Sequence, residues 1–151
     1  MTTYNVEKFD RFYDEALPLL EAHRVEVAAH LDIPLSVDVA RYRALEVAGA
    51  LRIFAARHED QLVGYAVFIT SPNAHYTSSL CAAQDVLYVD PAHRRGRVGL
   101  NLVRFAEAEL RRLGVQVVTQ HVKVAHPALG RLLEHENYTM MEHVYAKRLD
   151  R

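Results

Sequence analysis

The stretch LYVDPAHRRGRVGLNLVRFAEAEL, residues 87–110, allows few architectures. It begins as the end of an apolar run, CAAQDVLYV (81–89), with the residue types of a β-strand. Asp90-Pro91 stops the run. Within a few residues an amphipathic helix emerges near Val98, with Val98, Leu102, Phe105, Ala106, Leu110 and Leu113 on one side and Arg104, Glu107, Arg111 and Arg112 on the other; Gly114 ends it. A strand that feeds a helix through so short a connection packs that helix back onto its own sheet.

The flanking segments supply the rest of such a domain. From Asn5 to about Ala29, Phe9, Tyr13, Ala16, Leu20 and Val27 recur at helical spacing, with Asn5 as cap and Pro18 expected to kink or split the helix. Ser36 is placed to cap a short second helix carrying Val39, Tyr42 and Leu45, ended by Gly49. LRIFAAR (51–57) and QLVGYAVFIT (61–70) read as a hairpin turning at HED, followed by a polar loop, SPNAHYTSS (71–79). Beyond Gly114, VQVVTQHVKV reads as a strand, His126 to about His135 as a short helix, and YTMMEHVYAKRLD as one or two final strands. The order ααβββαβαβ(β), without linker or repeat, predicts one α/β (α+β) domain over 1–151: a mixed, mostly antiparallel sheet flanked by about four helices.

Charge and composition exclude several roles. Eighteen Lys and Arg against nineteen Asp and Glu argue against a general polyanion binder, and no basic-aromatic interleaving suits single-stranded nucleic acid. No run approaches the roughly 20 apolar residues of a membrane span. The amino terminus lacks the pattern of a signal peptide, and a single cysteine, Cys81, suits a reducing compartment, so a cytoplasmic protein is expected. Cys81 itself reads as a small buried apolar residue rather than a nucleophile. Nine histidines invite a metal, but His121 and His126 stand five apart with no acid or Cys set to complete a site, and no metal is expected.

The local exception to neutrality is the turn Arg94–Gly99. A helix start offers unpaired backbone amides and the positive end of the helix dipole. Gly96 permits positive φ, Gly99 permits close approach of a ligand, and Arg94, Arg95 and Arg97 add fork-shaped donors suited to phosphate oxygens. A solvated basic turn is the bland alternative. Neither a P-loop nor a three-glycine dinucleotide turn is present.

In these residues the chain resembles the GNAT superfamily of acetyl-CoA-dependent N-acetyltransferases. Their signature is a strand with an apolar-aromatic-Val-x-Pro end, then Arg or Gln, two residues, Gly, one residue, and Gly or Ala opening a helix. Here Arg94 leads and Gly99 closes; Arg97 stands at the middle glycine, with a glycine one place earlier at Gly96. HPALGRLLEHENY (126–138) is similar to the superfamily's later Asn- and Tyr-bearing segment. The arrangement is also similar to small GNAT proteins of phages and prophages.

The resemblance implies a splay between the strand ending at Val89 and the strand starting at Val115. Pantetheine would pair with backbone at Leu87, Tyr88 and Val89, and pyrophosphate would rest on the amides of Arg94, Arg95, Gly96, Arg97, Val98 and Gly99. An amine acceptor would attack the thioester directly. An alkylamine is almost wholly protonated at neutral pH, so a base is needed, and Asp85 stands where the family often carries Glu. The alternative for Asp85 is a carboxylate at a strand bulge that only hydrogen-bonds backbone. Leu133 occupies the place of the family's tyrosine acid, which leaves Tyr138, His121 and His126 as substitutes; His126 also falls at the Asn position and is a candidate for the cofactor. His75 and Tyr76, with His23, Arg24 and Glu26, are candidates for the acceptor wall. The rival reading is a GNAT-fold protein that binds acyl-CoA or a partner without turnover. Acceptor identity and oligomeric state, a homodimer included, stay open.

Overall fold

The computed structural model describes all 151 residues and divides into two compact units, Met1–His121 and Val122–Arg151. The first unit holds strands β1 (Thr2–Glu7), β2 (Leu51–His58), β3 (Gln61–Pro72), β4 (Leu80–Val89) and β5 (Val117–Thr119), and helices α1 (Phe9–Val27), α2 (Val39–Val47) and α3 (Val98–Arg112). The second holds helix α4 (Pro127–His135). The five strands form one sheet in chain order, antiparallel except for the parallel pair β4–β5. The expected mixed, mostly antiparallel α/β fold with four helices is present. No helix is long and apolar enough to cross a membrane.

Side-chain alternation divides the core between the two faces of the sheet. Ile53, Ala55, Tyr65, Val67 and Tyr88 meet Phe9, Phe12 and Ala16 of α1 and the half-buried Val39, Tyr42 and Leu45 of α2. Phe54, Ala56, Ala66, Phe68 and Val89 meet Leu102, Ala106 and Leu110 of α3 on the other face. Gly64 is required where β3 crosses β4, because a Cβ there would stand 3.0 Å from the Tyr88 carbonyl oxygen and 3.1 Å from a Val89 methyl.

Several sequence expectations are corrected. Residues 2–7 form a strand, not the start of a helix; Asn5 lies within it, and Lys8 occupies the cap position of α1. The donor vacancy at the α1 start is filled from outside, by Glu46 Oε1 accepting from the Phe9 N–H at 2.8 Å. Pro18 is accommodated inside a continuous helix, and Asp38 rather than Ser36 caps α2, accepting from the Arg41 N–H. Residues 138–150 form no strand, and the strand expected from Val115 is regular only over Val117–Thr119. Within α3, Val103 is buried while Leu113 is 44% exposed, since Leu113 is the C-cap rather than a helical core position.

A buried ion network closes the outer edge of the sheet. Arg57 donates from Nε to Glu7 at 2.6 Å, from both terminal nitrogens to Glu15 at 2.9 Å, and to the Asp60 carbonyl at 2.7 Å. With the second bond to Glu7, all five donors are used. The Asp60 bond also steadies the hairpin turn, in which Glu59 and Asp60 both have positive φ, as a type I′ turn demands of residues that are not glycine. The Arg57 and Glu7 side chains are 3% and 2% exposed, so neither charge has water to fall back on.

Arg57→Ala is therefore expected to destabilise the fold by about 3–5 kcal/mol in urea unfolding, because it strands the buried Glu7 carboxylate. The Arg57 hydrogen bond also holds the Glu15 carboxyl below its usual range. A depressed folded-state pKa adds stability above the unfolded value and loses it as pH falls through the folded one. Stability should thus decline on acidification below about pH 5, and Glu15→Gln should flatten that decline; an unchanged slope would contradict the assignment.

Candidate active site

The site is built around one extra residue in β4. Across β3, Val67 faces Val86 but the next residue, Phe68, faces Gln84, so Asp85 is the unpaired residue of a bulge. The bulge reverses the alternation of β4. Ala82 lies in the α3-side core, whereas Val86 and Tyr88, which an unbroken strand would keep on that same face, pack on the α1–α2 side. Asp85 itself is exposed, and its Oδ2 accepts a hydrogen bond from the Tyr42 hydroxyl of α2 at 2.5 Å. Burial and the Asp85 carboxylate together push the Tyr42 phenol far above its usual pKa, so it stays a donor.

β5 follows β4 only from Cys81 to Ala83, and the carboxamide oxygen of buried Gln84 then takes the His121 N–H at 3.1 Å. A side chain stands in for strand pairing at that point, and from Asp85 onward β4 has no strand on its β5 side. The Asp90 N–H bonds the Val63 carbonyl, and antiparallel bonding alternates, so Tyr88 and Val86 turn their backbone groups to β3 while Leu87 and Val89 turn theirs into the opening. The Val89 carbonyl is already met there by Arg94 Nε at 2.8 Å. The Leu87 N–H and C=O and the Val89 N–H remain as an open strand edge.

This edge runs into the arginine and glycine turn. Pro91–His93 forms a short 3-10 turn, Gly96 has φ of 110° with open space around it, and α3 starts at Val98. Arg94 is engaged: its fork holds Glu26 of α1 at 2.8 and 2.7 Å, and its guanidinium lies 5.2 Å above the Tyr88 ring. Arg95 and Arg97 are exposed. His23 stacks on the other ring contact of this group, 4.8 Å from Tyr88, with its Nδ1 3.3 Å from the Tyr65 hydroxyl.

The remaining predicted residues fall elsewhere. His121 is exposed and tied by its backbone to the face of β4 opposite Tyr42. His75 and Tyr76 are exposed on the β3–β4 loop, which Asn73 pins by accepting the His75 N–H at 2.8 Å. Asp85 lies five residues along β4 from that loop, about 16 Å of strand. In the second unit, His126 is the N-cap of α4, the Tyr138 N–H bonds the Leu133 carbonyl at 2.9 Å, and Leu133 is buried. No three His, Cys, Asp or Glu side chains are grouped to hold a metal ion. Two residues of the site escape sequence reasoning. Tyr42 reads as an ordinary apolar-face residue, and Gln84 betrays itself only as one of two consecutive polar residues in an apolar strand, a bulge signal.

The sheet thus has an opened parallel pair, a bulge in the strand beside the opening, and a helix that starts a short turn past that strand's end. The model of the acetyltransferase (GNAT) family matches residues 10–136, and the chain belongs to that family. No curated protein matches the sequence itself. Among solved structures, a ribosomal-protein-alanine N-acetyltransferase from Brucella melitensis biovar Abortus 2308 is similar at TM-score 0.75 and 17% identity, with 99% of each chain covered. An aminoglycoside acetyltransferase from an uncultured soil metagenomic sample is similar at TM-score 0.77 and 15% identity, covering 97% of this chain and 94% of that one. A predicted acetyltransferase with acetyl-CoA from Clostridium acetobutylicum is similar at TM-score 0.68 and 13% identity, covering 99% and 97%. At such identities the likeness is one of fold.

The Arg94–Glu26 pair ties the turn to α1, and its worth is measurable. A double-mutant cycle of Arg94→Ala and Glu26→Ala is expected to give a coupling of about 1 kcal/mol that shrinks with added salt, as suits a part-exposed pair. Additive losses would mean that the turn holds its shape without the latch.

Proposed function

We propose that the chain is a single N-acetyltransferase domain over 1–151 that moves the acetyl group of acetyl-CoA directly onto a primary amine of a small molecule or protein. The observation that carries this reading is the open edge of β4 ending in the Arg94–Gly99 turn. Unpaired Leu87 and Val89 groups suit the amides of a pantetheine arm lying as a short strand. The Gly96 backbone, with open space beside it, and the α3 start suit a pyrophosphate. Exposed Arg95 and Arg97 add charge for phosphate oxygens, and Val98 and Gly99 contribute helix-start amides. His126 is a further candidate for the cofactor.

Acetyl-CoA supplies a thioester whose carbonyl carbon accepts the amine nitrogen. The new C–N bond forms as the C–S bond breaks, and the amine loses a proton. Asp85 takes that proton, through a bridging water, at the carboxylate oxygen that Tyr42 leaves open. The leaving sulfur takes a proton from Tyr138, His121 or solvent. His75 and Tyr76 are our candidates for acceptor contacts at the far end of β4. The lone free thiol, Cys81, supports action in the reducing cytoplasm.

A second reading, binding of acyl-CoA or a partner without turnover, is favoured by one feature: buried Leu133 at the tyrosine's place. Release of free CoA thiol from acetyl-CoA in the presence of a panel of amines and peptides separates the two. Acetyl-CoA is expected to raise Tm in either case. Turnover, if Asp85 is the base, should fall about 100-fold or more in Asp85→Asn, with acetyl-CoA affinity nearly unchanged. A variant as fast as the parent would return Asp85 to a structural role.

A further inference from the structure

Asp85 has one hydrogen-bonding partner, and that partner is built into the core. The Tyr42 ring lies parallel to Phe9, with centroids 5.3 Å apart and planes at 6°, and Phe9 stacks in turn on Tyr13 at 5.3 Å. Phe9 is 2% exposed, so the base of this stack is packed into the core. Helix α2 is held to α1 by the Glu46 bond to the Phe9 N–H and by Arg43 on Asp10 at 2.9 Å. The Tyr42 hydroxyl therefore arrives at the bulge at a place set by two helices. Across the bulge β3 presents only Val67 and Phe68, which offer no competing side-chain donor. Burial and the Asp85 carboxylate hold the Tyr42 phenol up, and Arg41, beside it on α2, opposes them only weakly.

We infer that Tyr42 is a positioning residue for acetyl transfer: its hydroxyl fixes the orientation of the Asp85 carboxylate and leaves the second oxygen to receive the amine proton. This rests on the reading of Asp85 as the base. An aspartate in a bulge is otherwise free to turn about two torsions, and its short side chain has little reach to spare. A single donor on one oxygen removes that freedom and distinguishes the two oxygens.

The test is Tyr42→Phe, which keeps the ring stack and removes only the hydroxyl. The rate with acetyl-CoA and an accepted amine is followed in parent and variant, with kcat separated from the KM of each substrate. Loss of the hydrogen bond should lower kcat about tenfold, with the KM for acetyl-CoA unchanged. In an Asp85→Asn background, Tyr42→Phe should add nothing. An unchanged kcat in Tyr42→Phe, or an equal further loss in the Asp85→Asn background, would overturn the inference. An Asp85→Asn variant as fast as the parent would instead overturn the role of Asp85 as base, and the positioning role with it. Should Tyr42→Phe lose the fold, Phe9→Leu, which loosens the stack but keeps the hydroxyl, decides the same question: the inference requires a lowered kcat with an unchanged KM for acetyl-CoA there too.

Discussion

Because β4 carries one residue more than β3 at Asp85, every side chain beyond that point sits on the face opposite to the one an unbroken strand would give it. Tyr88 is thereby sent to the α1 side, where it receives His23 and Arg94, the same side on which Asp85 meets the Tyr42 hydroxyl. Leu87 and Val89 go to the α3 side, where Val89 supports Leu102 and Ala106. Without the bulge, Tyr88, the turn's anchor, would not share a face with Asp85 and the two helices that hold them.

The opening beside β4 depends on the same few residues. Gln84, immediately before the bulge, ends the pairing with β5 by accepting the His121 N–H through its side chain. A buried carboxamide without that partner would carry a desolvation cost of about 1–3 kcal/mol, so the opening is a settled feature of the first unit. The turn beyond Val89 is settled in its own way. Arg94 bonds the last β4 carbonyl and Glu26 at once, which leaves the helix-start amides and Arg95 and Arg97 directed to other partners. On the proposed reading, an open strand edge, an anchored turn and a hydrogen-bonded carboxylate suit a direct transfer, which works by holding two reactants in line.

Much of this was legible in the residues. The β4–turn–α3 passage was, because period, breakers and cap glycine agree at each step, and observed α3 begins at the expected Val98. The resemblance carried by Arg94 and Gly99 led to the family. β1 is not legible: it is an edge strand in which only Glu7 is buried, so it has no apolar alternation to read, and its Asn5–Glu7 end falls at the head of the helical period whose helix starts at Phe9. Tyr42 and Gln84 were missed for a related reason. Their roles lie in contacts forty-three and thirty-seven residues away, which no local pattern encodes. Arg94 reads as one of three phosphate donors, and its bond to Glu26 is likewise a long-range pairing, between a turn and a helix that the sequence alone does not bring together.

The most direct measurement is residue-resolved amide hydrogen exchange with and without acetyl-CoA. The Leu87 and Val89 amides face the opening, while the Tyr88 amide between them is paired to β3 and serves as the internal reference. Saturating acetyl-CoA is predicted to slow exchange at Leu87 and Val89 and across Gly96–Gly99, and to leave Tyr88 nearly as it was. If acetyl-CoA binds but Leu87 and Val89 exchange as fast as before, the β4 edge is not where the donor lies, and the account of the site fails.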